Sequence, residues 1–393
     1  MPESNRAHSR VVLSTFDDDL LVEVVEECRE AVGGKVSCVF AFASSDWAPH
    51  LKDFLEIVQV HGRAPVVVGS SGDGLIGVGQ EDENVSGCSL LFLSLPNTKV
   101  QCTPVTQEQV DDAEGDDYWT RLTGLAAEEV AGWMMLSNPF ELDAESWLKS
   151  WNSSYGEVAC FGGIASGGKE PEEMFLLEGG EVSAAGGLAI AFSGGVRIGG
   201  IVSQGCRPIG DPYTITAVEE NVLYGIASRG AYEVLEETFK NLADDEKESA
   251  QRNILAGLAM DENVDEHTRG SFLVRSILGG DADSDALALG AFPRVGQTLQ
   301  FQVRDKDAAD EELRDLCRDY LEKKGEPFAG LMFTCSGRGS RMFGLPNHDA
   351  GVMEDTFGKV PLGGFFCNGE IGPVGGTNFV HGFTASVALF MNA

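Results

Sequence analysis

The amino-acid sequence predicts a mixed α/β protein built from repeated β-α-β-β units, in which helices cover mixed, largely antiparallel sheets. Three observations favour this class. The 393 residues are 43% hydrophobic, which is enough apolar material for a large core. Glycine occurs 49 times, well above the average share of about 7%. One order of strand, helix and glycine-rich loop occurs three times, so we expect a globular chain in two packed halves.

Each unit begins with an apolar run that ends in small or polar residues. The three runs lie at 39–45, 133–138 and 331–336. Short apolar runs with polar ends are typical of buried strands that open into loops. We therefore predict the first strand of each unit at these positions.

A helix and two further strands complete each unit. Apolar residues recur at helical spacing in 51–58, 142–151 and, more weakly, 352–357. A strand that runs into a glycine-rich loop follows at 66–74, 159–167 and 362–369, and a last β-rich run follows at 87–95, 187–193 and 382–390. The distance from the first strand to the loop glycine is similar in the three copies, which are Phe42 to Gly74, Leu136 to Gly167 and Phe333 to Gly369.

The region between the second and third copies has a different pattern. Residues 196–227 read as strands, 231–258 as an acidic helical stretch, 271–305 as an antiparallel meander and 308–324 as a charged helix. A boundary near Gly194 gives two modules of similar size, 10–195 and 196–393.

Composition excludes several classes of function. The chain has 28 lysine and arginine residues against 62 aspartate and glutamate residues, a net charge of −34. This balance argues against binding nucleic acid or an anionic membrane, since both require clustered positive charge. Nine cysteines without a C-x-x-C pair argue against a disulfide scaffold or a structural zinc site and favour a reducing compartment.

Neither a targeting segment nor a cofactor motif is predicted. The short polar start lacks the apolar stretch of a signal peptide, and no run is long enough to insert in a membrane, so we expect a cytoplasmic protein. Residues 72–77 match G-x-G-x-x-G, but the polar turn at 78–84 replaces the helix that a dinucleotide needs. With six scattered histidines, no metal and no cofactor is predicted.

The last 60 or so residues carry a family resemblance. Residues 333–339, 343–344, 361–373 and 381–386, together with Asn378, closely resemble in order and spacing the C-terminal module of FIST proteins. The Gly-Ser-Ser-Gly and Gly-Gly-Ile-Ala-Ser loops of the first half are similar to the FIST N-terminal module. The resemblance covers nearly the whole chain from about Arg10.

This resemblance implies a sensory function in signal transduction, with amino acids or similar metabolites as ligands. In bacteria such modules often stand beside signalling domains, and in eukaryotes beside an F-box. So few residues precede the FIST-like region that we expect a stand-alone protein whose output passes through a separate protein partner.

The predicted ligand site lies at the strand ends that open into glycine loops, where backbone can approach a guest closely. Arg338 could fork onto a carboxylate and Glu370 could accept an ammonium group, which would suit an amino-acid zwitterion. The candidate ligand-binding residues are Ser70, Ser71, Asp73, Ser166, Cys335, Ser336, Gly337, Arg338, Asn368, Gly369, Glu370, Asn378 and His381.

Other interpretations of these residues stay open. Arg338 could pair with Glu370 as an internal salt bridge, and the glycines could serve only tight turns. Asn378 and His381 could be structural. Cys335 or Cys367 could serve a thiol-dependent enzyme, although no catalytic residue is assigned, and the acidic surface could make the chain a protein-interaction scaffold.

Overall fold

The computed structural model describes residues 4–251, 253–260, 262 and 271–393. The chain forms two compact units. One comprises Met1–Val202 and Arg314–Ala393, and the other comprises Ser203–Leu313. All three predicted β-α-β-β copies therefore belong to the first unit, although a long insertion separates the second copy from the third.

The first two copies occupy the start of the chain. The elements of the first copy are β1 (Arg6–Leu13), α1 (Asp18–Ala31), β2 (Cys38–Ala43), α2 (Leu51–Gly62), β3 (Val67–Ser71), β4 (Gly74–Gly77), β5 (Gln80–Glu83) and β6 (Gly87–Ser94). Those of the second are β7 (Thr98–Val105), α3 (Gln107–Asp111), α4 (Tyr118–Thr123), β8 (Gly132–Ser137), α5 (Ala144–Tyr155), β9 (Cys160–Ile164), β10 (Leu176–Glu178), β11 (Glu181–Val182) and β12 (Gly187–Gly194).

The remaining elements include the insertion and the third copy. After β13 (Val196–Ser203), the second unit contains β14 (Cys206–Pro208), β15 (Tyr213–Glu219), β16 (Val222–Ile226), β17 (Arg229–Gly230), α6 (Ala231–Lys240), α7 (Asp244–Ala250), β18 (Ile254–Ala259), β19 (Phe272–Asp281), β20 (Ala286–Leu289) and β21 (Thr298–Arg304). The chain returns through α8 (Lys306–Lys324) to β22 (Ala329–Cys335), α9 (Gly339–Phe343), α10 (His348–Phe357), β23 (Leu362–Cys367), β24 (Glu370–Val374), β25 (Thr377–His381) and β26 (Ala385–Asn392).

The three copies share one strand arrangement, which confirms the predicted mixed α/β class and its repeat. In each copy the first two core strands are parallel, as β2 and β3 are, and the closing strand lies antiparallel beside the first, as β6 does beside β2. The helix between the parallel strands is α2, α5 or α10. A parallel pair needs such a crossover, which is why helical periodicity follows the first strand of every copy.

The copies also exchange hairpins in a cycle. The hairpin β4–β5 leaves the first copy and pairs with β23 of the third. The hairpin β10–β11 leaves the second and pairs with β3 of the first, and β24–β25 leaves the third and pairs with β9 of the second. Each of the three six-stranded sheets is therefore completed by chain from another copy.

Alternate residues of the core strands face two different apolar layers. One side of the strands contributes to a core shared by all three copies, which includes Phe40, Phe42, Met134, Leu136, Leu331 and Phe333. The other side of β2 packs with α1 and α2, and that of β8 packs with α5. The strands are buried on both faces, which explains why they appear in the sequence as unbroken apolar runs.

Local signals fix the ends of the covering helices. Asp17 caps α1 by accepting a hydrogen bond from the amide of Leu20. Asp143 caps α5 by accepting from the amides of Glu145 and Ser146. Each cap satisfies a donor that the first turn of a helix leaves without a partner.

One glycine recurs at the same position in the second parallel strand of every copy. A Cβ on Gly69, Gly162 or Gly364 would lie 1.6, 1.7 or 1.9 Å from the carbonyl oxygen of the residue opposite. No side chain fits at that distance. The high glycine content therefore has two sources: the glycine-rich loops, and strand positions where the neighbouring backbone is too close for a side chain.

The second unit is an eight-stranded sheet with α6 and α7. The three predicted strands are present as β19, β20 and β21, but the predicted meander is wrong. β20 pairs with β19 and β16, whereas β21 pairs with β14, β15 and β18. The prediction of helical structure through residue 258 is wrong at its end, because residues 254–258 lie in β18, which pairs with β19 and β21. A short apolar run bounded by polar residues becomes a strand when neighbouring strands can complete its hydrogen bonds.

Among the residues that the structure describes, no helix combines the length and the apolar character needed to cross a bilayer.

Candidate functional site

The loops that follow the second strand of each copy lie against one another. Ser166, from the second copy, joins all three: its Oγ donates to the carbonyl oxygen of Phe366 and accepts from the amide of Asp73 at 2.8 Å. Its own amide donates to the carbonyl oxygen of Ser71 at 3.3 Å. The three glycine-rich loops therefore form one hydrogen-bonded cluster, here called the loop cluster (residues 71–73, 164–168 and 366–369).

Two further contacts reinforce the loop cluster. The side-chain amide of Asn368 donates to the carbonyl oxygen of Ala165 at 3.0 Å. Ser45 Oγ, at the end of β2, donates to the carbonyl oxygen of Gly167 at 2.8 Å. Asp73 and Asn368 are exposed.

Several predicted site residues are completely covered. Ser70, Ser71 and Ser166 have no exposed surface, and Gly369 is also buried. These residues shape the loops from within, whereas Asp73 and Asn368 present polar groups to solvent.

A pair of cysteines ends the two parallel strands of the third copy. Cys335 lies directly opposite Cys367 in the pairing of β22 with β23. Cys335 is half-buried and its Sγ accepts a hydrogen bond from the amide of Gly337 at 3.4 Å. Cys367 is fully buried, and its thiol donates to the carbonyl oxygen of Thr334 at 3.4 Å. Only Cys335 can therefore be reached from outside.

Glu370 lies beneath these two thiols and has no exposed surface. Its Oε2 accepts from the amide of Thr384 at 2.9 Å, its Oε1 lies 3.6 Å from Cys367 Sγ, and its carboxyl hydrogen-bonds the thiol of Cys335. Burial raises the pKa of Glu370 to about 8, so the carboxyl is mostly protonated at neutral pH. A carboxylic acid in this state can donate a proton.

The other two copies carry leucine where the third carries Glu370. Glu370 pairs with Gly163 in β9, one residue after the recurrent glycine of that strand. The corresponding residues are Leu75, which pairs with Phe365, and Leu176, which pairs with Ser70. Both leucines are buried in the shared core. The third copy thus replaces a core leucine with an ionisable group.

Phe383 lies against the loop that follows Cys335. Its backbone has a φ of +64°, which is uncommon for an aromatic residue and costs on the order of 1–3 kcal/mol. Its ring lies against Gly337, where a Cβ would come within 2.8 Å of the ring carbons. Phe383 and Thr384 were not among the predicted site residues, because backbone strain and a backbone amide leave no signal in the sequence.

Arg338 is completely buried and its guanidinium faces Asp349. Nε and Nη2 donate to the two carboxylate oxygens of Asp349 at 2.7 and 2.9 Å, a bidentate pair. His348 Nδ1 lies 2.8 Å from Asp349 Oδ1, and its ring stacks on Phe343. The guanidinium of Arg338 is therefore paired with Asp349, which lies 11 residues further along the chain, rather than with Glu370.

The exchanged hairpin β4–β5 supplies a second buried carboxyl beside this pair. Glu81 Oε1 accepts from the amide of Ala350 at 3.1 Å. Burial and the charge of Asp349 raise the pKa of Glu81 to about 8. Hence Glu81 ties chain from the first copy to the start of α10 in the third.

Asn378 and His381 contact backbone of the same sheet. Asn378 Oδ1 accepts from the amide of Cys160 at 2.8 Å, and its Nδ2 donates to the carbonyl oxygen of Val158 at 3.0 Å. His381 Nε2 lies 2.9 Å from the carbonyl oxygen of Gly372. The contacts of Asn378 attach the hairpin β24–β25 to the second copy, whereas that of His381 lies within the hairpin. Within the described ranges, no group of three or more His, Cys, Asp or Glu side chains is placed to hold a metal ion.

Comparison with known proteins identifies the family. The FIST N domain matches residues 37–229 and the FIST C domain matches residues 231–373. An uncharacterized protein of Mycobacterium tuberculosis strain H37Rv is 34% identical over 367 residues, which is 93% of this chain and 94% of the relative.

Two more distant matches differ in extent. An F-box/LRR-repeat protein of Arabidopsis thaliana is 35% identical over 107 residues, 26% of this chain and 20% of that protein. The crystal structure of a cyanuric acid hydrolase from A. caulinodans covers 99% of both chains at 11% identity, with a TM-score of 0.35. The two FIST matches and the mycobacterial relative show that this chain belongs to the FIST family, whose domains are associated with sensing small ligands in signalling.

Proposed function

We propose that this protein is a small-molecule sensor that binds an amino acid or similar metabolite at the loop cluster. The observation that carries the proposal is the contact of all three loops through Ser166. A ligand on this surface would touch chain from each copy at once. Glycine-rich strand ends are also where α/β folds usually admit a guest.

The exposed members of the cluster supply the ligand contacts. The Asp73 carboxylate is available to an ammonium group, and the side-chain amide of Asn368 has a second N–H that can donate to a carboxylate. Arg338 and Glu370 act from behind the surface, because both are covered and Arg338 holds Asp349. The zwitterion is thus recognised by surface groups, with the charged Arg338 and the protonated Glu370 buried behind them.

Signal output would pass through a separate protein partner in the cytoplasm. The Arabidopsis relative is named an F-box/LRR-repeat protein, which supports a regulatory context for this kind of domain. The nine cysteines, all within the described residues, form no disulfide, which favours a reducing compartment.

Thermal unfolding in the presence of a panel of amino acids and related metabolites tests the binding proposal. A ligand that binds only the folded chain stabilises it by RT ln(1 + [L]/Kd), about 2.7 kcal/mol at a hundred times Kd. We expect at least one compound to raise Tm, and the Asp73→Asn and Asn368→Ala variants to weaken the rise.

The matched control is Asp116→Asn, which removes one exposed carboxylate away from the loop cluster. This variant should respond as the wild type does. A panel in which no compound raises Tm, or in which the loop variants bind as tightly as the control, would refute the proposed site.

A further inference from the structure

We propose that Cys335 and Glu370 form a nucleophile and acid pair that binds an aldehyde reversibly as a hemithioacetal. This inference rests on the proposed sensor function, because Cys335 lies at the edge of the same surface. It adds a covalent step and a chemical class of ligand to that function.

The placement of the two thiols makes Cys335 the nucleophile. It is one of two half-buried cysteines in the chain, the other being Cys102. Cys367, its neighbour in the sheet, is fully buried. The amide of Gly337 donates to Cys335 Sγ at 3.4 Å, an interaction that stabilises a thiolate.

Burying the carboxyl of Glu370 costs folding free energy. We infer that this cost is kept because the carboxyl takes part in function. A buried ionisable group destabilises a fold unless it is fully partnered, and leucine fills the same position in the other two copies. A core position that departs from the repeat in one copy only is where function is expected to override packing. The departure occurs in the copy that bears the two thiols.

The chemistry of a thiol beside a protonated carboxyl favours addition to a carbonyl. The Cys335 sulfur attacks the carbonyl carbon, forming a C–S bond, while the π bond of the C=O group breaks and its electrons move to oxygen. Glu370 donates its proton to that oxygen, and the proton of the thiol passes to the Glu370 carboxylate. The sum is addition of S–H across C=O, which needs no oxidant and no other reactant.

The groups around Glu370 support its protonated state. Besides Cys335 and Cys367, the charged or titratable neighbours are Arg338, whose charge opposes the effect of burial, and His381, which is paired with Glu370 in the sheet. Burial outweighs Arg338 and keeps the carboxyl protonated at neutral pH.

Cysteine labelling of the full chain tests the pair. Iodoacetamide modification of each cysteine is followed by peptide mass spectrometry, with Cys102 as the internal reference. We expect Cys335 to label faster than Cys102. Propanal should slow labelling of Cys335, 1-propanol should not, and dialysis should restore the original rate.

The near-isosteric variant Glu370→Gln removes the acid and keeps an acceptor for the Thr384 amide. It should slow the onset of protection by propanal by roughly 100-fold, the usual size of a general acid contribution to a rate. Cys367→Ser should keep the protection. Equal labelling of Cys335 and Cys102, no protection by propanal, or an unchanged rate of onset of protection in Glu370→Gln would overturn the proposal.

A Cys335→Ser variant separates this inference from the sensor function. If metabolites still raise Tm in this variant while the wild type shows no protection by propanal, the binding function stands and the covalent step fails. If no compound raises Tm but propanal protects Cys335, the covalent pair stands without the amino-acid site.

Discussion

The pKa values of two buried carboxyls of the third copy, Asp349 and Glu370, shift in opposite directions. Burial alone raises the pKa of either group, but Arg338 and His348 outweigh it at Asp349 and lower that pKa to about 2. At Glu370 burial prevails and the pKa rises to about 8. The difference follows from the bidentate guanidinium, which only Asp349 receives. One carboxyl therefore acts as a fixed charge and the other as a proton donor.

The raised pKa of Glu370 predicts how stability depends on pH. The folded state holds this proton more tightly than the unfolded state, so the contribution is complete below the unfolded value near 4.5 and is lost as pH rises to about 8. The free energy of unfolding of the wild type, minus that of Glu370→Gln, should fall across this window by up to about 1.4 kcal/mol per pH unit.

Urea unfolding of both proteins at a series of pH values checks this dependence. Glu81 and all other titrating groups are present in both chains, so their contributions largely cancel in the difference. A difference that stays constant from pH 4.5 to 8 would show that Glu370 is not held protonated.

At the scale of elements, the predicted strands and helices of the three copies are present because each has a local cause. Apolar runs give β2, β8 and β22, and helical periodicity gives α2 and α5. The error at 254–258 has a physical reason as well: an apolar stretch of this length fits a helix or a strand, and its partners in β19 and β21 decide.

The recurrent glycine makes an element-scale prediction. Alanine at Gly162 or Gly364 should lower the free energy of unfolding by about 1–3 kcal/mol, because the new methyl group would force the parallel strands apart. The matched control is Gly351→Ala in α10, where nothing lies within 4 Å of the added Cβ. Removing a helical glycine should leave stability unchanged or raise it by about 0.5–1 kcal/mol.

Chemical denaturation of the three variants measures these effects. If Gly162→Ala and Gly364→Ala are as stable as Gly351→Ala, the close approach of the paired strands is not a real constraint on the fold.

At the scale of the whole molecule, the net charge of −34 opposes compaction. Like charges repel within a folded chain, and salt screens them over about 30 Å at 0.01 M but only about 3 Å at 1 M. We therefore expect the free energy of unfolding to rise as NaCl is added at neutral pH.

Urea titrations at increasing NaCl measure this gain. Magnesium chloride serves as the comparison, because its divalent cation should produce the same gain at a lower concentration if screening is the cause. A free energy of unfolding that is flat or falls with NaCl would mean that paired charges, rather than repulsion, dominate the surface.

The sequence by itself determined the repeat, the strand and helix types within it, and the glycine loops at the strand ends, because hydrophobic period and turn residues are local properties. The order of motifs in the last 60 or so residues also indicated the family. Only the tertiary structure decided that the copies exchange hairpins, that Asp349 holds Arg338, and that Glu370 occupies the place of Leu75 and Leu176. These features depend on which strands pair and which side chains meet in space, and no local pattern along the chain specifies that choice.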